Sequence, residues 1–215
     1  MTACDFNHLP PNVSILAVTK YASIEQITAL YKLGFTHFGE NKIQTAIEKQ
    51  SQLTHLSCKW HFIGHLQSNK IKKAVTHFDC IESVHSADLA LKISNYAKKI
   101  NKEITILFQI NLTNESTKHG FKINEFKQDL PKMMSLPFIQ PKGIMIMGPN
   151  TTKKNEIEST FNQANRLYTT IKTRYNCFNI LSMGMSNDYL TAIEYGSTQV
   201  RLGSILLDQL KKETK

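Results

Sequence analysis

The sequence runs to 215 residues, 41% hydrophobic and 20% charged, which suits one folded domain of ordinary composition and excludes a disordered chain. Its formal net charge of +9 comes almost wholly from lysine, because Arg166, Arg174 and Arg201 are the only arginines, and with no nucleic-acid module recognisable, specific nucleic-acid binding is not expected. The four cysteines have no C-x-x-C spacing, which excludes a zinc ribbon or disulfide framework, and no signal-like or span-length apolar run (roughly 18 residues) is present, so a cytoplasmic protein with no membrane segment is expected.

Short apolar or β-branched runs then alternate with helical patterns from one end to the other. The first strand is predicted over Ser14–Val18 and delivers Lys20 to its end. Ser23 and Gln26 form a capping-box pair, Ile24, Ile27, Leu30 and Tyr31 make one apolar stripe, and Gly34 can close that helix. Strands follow at Phe35–Phe38, Trp60–Ile63 and Cys80–Val84. Ser86 starts a helix whose Leu89, Ile93, Tyr96, Ala97 and Ile100 face inward. The fifth and sixth strands, Ile104–Ile110 and Lys142–Met147, are almost continuously apolar, as parallel strands covered on both faces are. Asn155 and Glu158 open a helix in which Ile157, Phe161, Ala164, Leu167, Tyr168 and Ile171 keep the helical period, and the last strands are Asn179–Met183 and Thr198–Leu202. Eight β/α alternations predict one α/β domain over residues 1–215, a (β/α)8 TIM barrel; a doubly wound open sheet is the alternative.

In such a barrel chemistry collects at the carboxyl ends of the strands, with phosphate commonly held after the seventh and eighth. Lys20 sits there after the first strand, where a partly desolvated amine can act as a Schiff-base lysine, although a lysine after a strand is more often a surface residue. In LSMGMSNDYL, Gly184 frees a turn, and Ser186 with Asn187 and Asp188 resembles the start of a helix reaching Glu194. Such a start offers unpaired N–H groups to a phosphate, though an ordinary N-cap serine explains the same residues. In VRLGSILL, Gly203 lets backbone approach a ligand and Ser204 adds a hydroxyl and an N–H. Leu202 faces the opposite way from Arg201, which places Arg201 inside the barrel, where it needs an acidic partner or a ligand. His61 and His65 are four apart, but Gly64 lies between them and no glutamate follows His61, so no metal is expected. Nucleophile-elbow, dinucleotide and Walker motifs are absent.

The segments ILAVTKYASIEQI, GFTHFGENKIQ, WHFIGHLQSNK, FQINLTNESTKHGF, GIMIM, LSMGMSNDYLTAI and GSTQVRLGSIL, in that order from about Ser14 to Leu206, resemble the pyridoxal phosphate homeostasis protein family. The resemblance implies a barrel like the amino-terminal domain of alanine racemase, with pyridoxal 5'-phosphate (PLP) held as a Schiff base on Lys20. It further implies phosphate contacts at Ser186, Gly203 and Ser204, Arg201 at the cofactor, and Asn41 of the GEN motif near it. The family commonly has Ser-Lys-Thr-Lys-Pro around its lysine, whereas Thr19, Tyr21, Ala22 and Ser23 surround Lys20. The second lysine of that motif, proposed to assist cofactor transfer, is therefore replaced by Ala22, and Ser204 stands for the usual threonine. Family members usually carry a helix before the first strand; here thirteen residues, including Pro10 and Pro11, precede it.

An arginine beside the pyridine nitrogen keeps that nitrogen unprotonated and weakens the ring as an electron sink, which restricts the cofactor to simple proton transfers such as racemisation. A two-base racemase also needs a base opposite the lysine, which alanine racemases take from a second, β-rich domain. This chain stops about where the barrel closes, and nothing in the sequence marks Tyr21 or Tyr189 as a substitute. The expected function is therefore a non-catalytic carrier that buffers PLP and passes it to PLP-dependent apo-enzymes; a weak amino-acid racemase is the alternative. A monomer is expected, with a dimer left open. Arg201→Ala is expected to weaken cofactor retention while sparing the fold, on the ground that it removes a charge contact and no core volume.

Overall fold

The computed structural model describes residue 6, residues 9–113 and residues 119–213. The expectation about an amino-terminal helix falls on a segment of which residues 1–5, 7 and 8 lie outside the described residues. The elements are β1 (Ser14–Val18), α1 (Ile24–Lys32), β2 (His37–Glu40), α2 (Ile43–Gln52), β3 (Lys59–Phe62), α3 (Ile71–His77), β4 (Cys80–Val84), α4 (Ala87–Lys99) and β5 (Ile104–Ile110). They continue as α5 (Ile123–Met134), β6 (Ile139–Ile146), α6 (Lys154–Arg174), β7 (Ile180–Ser182), α7 (Tyr189–Glu194), β8 (Gln199–Leu202) and α8 (Ser204–Glu213). All eight strands are parallel and pair in sequence order, and β8 returns to β1 with Leu202 opposite Ala17. The sheet is a closed barrel, and the open-sheet alternative falls. Among the described residues no helix is long and apolar enough to cross a membrane.

Local chemistry explains most boundaries. The capping box of α1 forms in both directions: Gln26 N–H donates to Ser23 Oγ at 3.3 Å and Ser23 N–H donates to Gln26 Oε1 at 2.9 Å. Ser86 caps α4 by accepting from Leu89 N–H at 3.1 Å. Three expectations need correcting. Strand β2 starts two residues late because Gly34 (φ +95°) ends α1 and Phe35 packs edge-on against Phe6, ring centres 6.5 Å apart, before the sheet begins. Strand β6 starts early because Gln140 and Pro141 still pair with β5; the register shifts between Ile106 and Leu107, beside the proline that can donate no N–H. Helix α6 starts at Lys154 instead of being capped by Asn155, whose Oδ1 accepts from the adjacent Glu156 N–H inside the first turn.

The core has two layers. The larger one lies between sheet and helices and holds Phe38, Phe62, Phe78, Phe108, Phe126, Phe161 and Phe178, all buried. The smaller one lies inside the barrel, where Cys80, Leu107 and Met145 pack with Met147 and Ile180. Leu16 also faces inward, opposite Arg201, but His61, Glu82, Ser182, Gln199 and Arg201 make much of the interior polar, which is unusual for a barrel whose inner layers are ordinarily branched aliphatics.

Candidate functional site

Strand β1 ends at Val18, so Lys20 lies in the turn beyond it. That turn is tied to β2: Thr19 N–H donates to the Gly39 carbonyl at 3.0 Å, and Ala22 N–H to the Thr19 carbonyl at 2.8 Å. Beneath it lies a buried ion pair between Lys49 of α2 and Glu40, the last residue of β2, at 2.7 Å. Lys49 Nζ also donates to the Thr19 carbonyl at 2.6 Å, and Thr19 Oγ1 donates to Glu40 Oε1 at 2.7 Å. The backbone just before Lys20 is thus clamped, while the Lys20 side chain is exposed, with Nζ 4.9 Å from the centre of the Tyr21 ring. Asn41 follows Glu40 directly, exposed on the neighbouring strand end.

Because β8 pairs with β1, Gly203 and Ser204 emerge beside that turn. The Gly203 carbonyl accepts from Leu206 and Leu207 N–H, both at 3.1 Å, so Gly203 caps α8 and the Ser204 and Ile205 amides have no intrahelical partner. A Cβ at position 203 would stand 3.2 Å from the Val18 carbonyl oxygen, which explains the glycine. Ser186 Oγ accepts from Gly203 N–H at 3.4 Å, linking the turns after β7 and β8. Ser186 does not start the helix, however. Asp188 Oδ1 accepts from Met185 N–H at 2.6 Å and Tyr189 N–H bonds the Met185 carbonyl, closing a turn, and α7 begins only at Tyr189. Lys20, Asn41, Ser186, Gly203 and Ser204 therefore share the carboxyl rim over β1, β2, β7 and β8.

Arg201 does point into the barrel, as its parity on β8 requires. Nη1 donates to the Ser182 carbonyl at 2.8 Å and to Ser182 Oγ at 2.9 Å, and Nη2 donates to the Ile146 carbonyl at 2.8 Å and lies 3.8 Å from Met147 Sδ. Among the described residues, Nε–H has no partner. Burial holds the guanidinium below its ordinary pKa, with Glu82 and Asp188 opposing that effect. The expectation that Arg201→Ala spares the fold is overturned: the side chain is 4% exposed and serves two buried carbonyls, so truncation would strand both and leave Glu82 without a nearby cation.

Glu82 on β4 is the centre of this interior. Its Oε1 accepts from Gln199 Nε2 at 2.7 Å and meets His61 Nδ1 at 2.7 Å, and its Oε2 accepts from Ser182 Oγ at 2.8 Å. Strand β4 neighbours neither β7 nor β8, so these bonds cross the barrel. Burial acts to raise the Glu82 pKa, but the His61 hydrogen bond, Arg201 and Ser182 outweigh it and hold the carboxyl below its ordinary value. His61 Nε2 in turn lies 2.9 Å from His37 Nδ1. His61, Cys80 and Glu82 bring ligand-type atoms within 4.8 Å of one another. Both His61 nitrogens and both Glu82 oxygens are already hydrogen-bonded, and burial pushes the Cys80 thiol well up, so the group is a hydrogen-bonded cluster. His65 lies elsewhere, on the carboxyl rim, stacked on His119 (ring centres 3.7 Å) and beside His85 (4.8 Å). Burial holds His65 and His85 below the usual histidine range.

A family model described as the N-terminal domain of alanine racemase matches residues 6–208. The pyridoxal phosphate homeostasis protein of Synechocystis sp. is 39% identical over 200 residues, covering 92% of each chain, and that of Helicobacter pylori is 35% identical over 215 residues, covering 97% of this chain and 91% of the relative. The chain belongs to the pyridoxal phosphate homeostasis protein family. Among solved structures, PipY of Synechococcus elongatus with PLP bound aligns with a TM-score of 0.86 at 35% identity, over 92% of this chain and 93% of its own. Alanine racemase of Clostridium difficile aligns with a TM-score of 0.79 at 18% identity over 93% of this chain and 53% of its own, a likeness of fold alone.

For this family member, sequence reasoning reached the rim residues and Arg201 but missed Glu82, Gln199, Ser182, His37 and the Lys49–Glu40 clamp. A signal existed for the first group. His61, Glu82, Ser182, Gln199 and Arg201 are polar residues in strands that also carry buried apolar ones. Polar residues there must either face each other in the interior or go unsatisfied.

Proposed function

We infer that this chain binds PLP at the carboxyl rim and acts as a non-catalytic PLP carrier that buffers the cofactor inside the cell and releases it to PLP-dependent apo-enzymes. The observation that carries this reading is the convergence of an exposed amine, a helix start with unpaired amides and a buried guanidinium with one donor left over. Lys20 is the amine that would bond the cofactor aldehyde. Ser186, Gly203 and Ser204 would hold the phosphate, where the first amides of α8 have no internal partner. Asn41 would approach from the end of β2. Four of the five Arg201 donors face Ser182, Ile146 and Met147, and Nε–H remains to meet an acceptor such as an unprotonated pyridine nitrogen. Bound PLP supplies an electrophilic carbonyl and an electron-withdrawing ring, and an arginine at that nitrogen limits how far the ring can accept electrons. The names of the relatives and the PLP bound to PipY support the same ligand.

A carrier is favoured over a racemase because, among the described residues, neither candidate tyrosine is held as a second base across from Lys20. Tyr21 is 82% exposed, and Tyr189 packs edge-on against Phe6 at 6.4 Å between ring centres. An exposed Lys20 also suits release, since a receiving enzyme's amine can reach the same carbon. We read the whole chain as one barrel unit that works as a monomer in the cytoplasm. The test is an absorbance spectrum with PLP before and after borohydride reduction. A near-ultraviolet or visible band, trapped as a mass increment on the Lys20 peptide and lost in Lys20→Ala, is the expected result; an unmodified Lys20 peptide refutes the assignment. Solvent deuterium uptake at Cα of alanine or serine at enzymatic rates, abolished by Lys20→Ala, would refute the non-catalytic reading.

A further inference from the structure

The polar residues inside the barrel form one continuous path between its two ends. At the amino end, His37 opens β2 and its side chain is exposed, whereas His61 and Glu82 are buried at 5% and 0% exposure. From there the path runs His37 Nδ1 to His61 Nε2 at 2.9 Å and His61 Nδ1 to Glu82 Oε1 at 2.7 Å. It then runs from Glu82 Oε2 to Ser182 Oγ at 2.8 Å and from Ser182 Oγ to Arg201 Nη1 at 2.9 Å. Gln199 Nε2 braces it by donating to both Glu82 Oε1 (2.7 Å) and Ser182 Oγ (3.0 Å).

The partners fix the protons. Gln199 and Ser182 both donate to Glu82, and with its carboxyl held below the ordinary value Glu82 is the ionised acceptor. His61 then carries its proton on Nδ1 and accepts on Nε2 from His37 Nδ1–H. His37 Nε2 is left to exchange with water. A proton added there forms an N–H bond on Nε2; the His37 Nδ1–H bond breaks as that proton passes to His61 Nε2. His37 ends neutral and His61 ends as an imidazolium against Glu82. One proton has been taken from solvent at one end of the barrel, and its charge has arrived beside the carboxylate that balances Arg201.

We propose that His37, His61 and Glu82 are positioning residues that report protonation at the amino-end opening to the ligand held by Arg201 at the opposite rim. This rests on the reading that Arg201 faces PLP. The charged and titratable groups around the relay are Lys59 and Asp79, paired at 2.9 Å beside His37, the neutral Cys80 thiol beside Glu82, and Asp188 beyond Arg201. Of these, Lys59 and Asp79 oppose each other at the opening, so Glu82 is the anion beside which the relayed charge comes to rest on His61.

The experiment follows the absorbance of the PLP-loaded protein between pH 5 and pH 8 for the wild type, Glu82→Gln and His37→Asn. A step in the wild-type profile that moves by at least about half a pH unit in His37→Asn and disappears in Glu82→Gln is expected. Superimposable profiles for wild type and His37→Asn overturn the relay, and His37→Asn gives that answer even if Glu82→Gln does not fold. The relay also has a readout that needs no ligand. In the PLP-free protein, the ring nitrogen shifts of His61 should follow the titration of His37 in the wild type and lose that step in His37→Asn. If the wild type takes up no PLP, the carrier reading fails while these His61 shifts still decide the relay; His61 ring shifts whose pH profile is unchanged by His37→Asn overturn it.

Discussion

Replacing Lys49 by methionine tests the clamp behind Lys20. The side chains keep similar length, but the ion pair at 2.7 Å is lost between partners whose side chains are 11% and 0% exposed. Glu40 would be left as a buried carboxylate with Thr19 Oγ1 as its one donor, because its Oε2 has no partner among the described residues. Removing one member of a buried pair costs about 3–5 kcal/mol, since the other charge stays desolvated. For a chain of this size each kcal/mol lowers the melting temperature by roughly 2–4 °C, so Lys49→Met should melt about 6–20 °C below the wild type. The Thr19 carbonyl loses its 2.6 Å donor at the same time, so the turn bearing Lys20 should loosen and PLP should dissociate faster. The double variant Lys49→Met with Glu40→Leu removes both charges and should recover most of the melting temperature without restoring retention. Calorimetry with parallel dissociation measurements checks both parts. A single variant melting within about 2 °C of the wild type would refute the claim that the pair is desolvated.

Gly143→Ala should destabilise by about 3 kcal/mol or more, because its Cβ would lie 1.7 Å from the Ile180 carbonyl oxygen in the neighbouring strand and neither backbone can retreat without breaking the β6–β7 ladder; a wild-type melting curve would contradict this. Acid should weaken the fold in two stages. Burial holds His37, His65, His77 and His85 below the ordinary value of 6.5, so the unfolded chain takes up their protons first; stability is full above that value and falls as pH drops through it toward the lower folded values. Glu82, also held below its ordinary 4.5, adds a second loss as pH falls beneath that. Melting temperatures that rise between pH 7.5 and pH 5.5 would show the histidine argument to be wrong, and His85→Asn should flatten the first stage.

How far the sequence carried depended on whether a residue's task was local. The strand and helix order, the Ser23 and Ser86 caps and the inward aim of Arg201 follow from neighbours within a few positions, and the structure places them as read. The rim residues were reachable because barrel topology alone brings the ends of β1, β7 and β8 together. What stayed hidden was any partnership spanning the barrel. Glu82 and Gln199 are separated by 117 positions and Glu82 and Ser182 by 100, and no spacing rule links such pairs. The same blindness produced the error over Arg201. Read singly, an inward arginine calls for a ligand or an acid; the structure supplies the acid, with Glu82 near its buried end, and among the described residues leaves Nε–H on the same guanidinium without a partner. That division changes what a mutation there can mean. Arg201→Ala would disturb the fold along with any ligand contact and separate nothing, whereas Glu82→Gln alters the charge behind the arginine and leaves the arginine itself in place. The residues that sequence patterning could not find are therefore the ones through which the role of Arg201 can be measured.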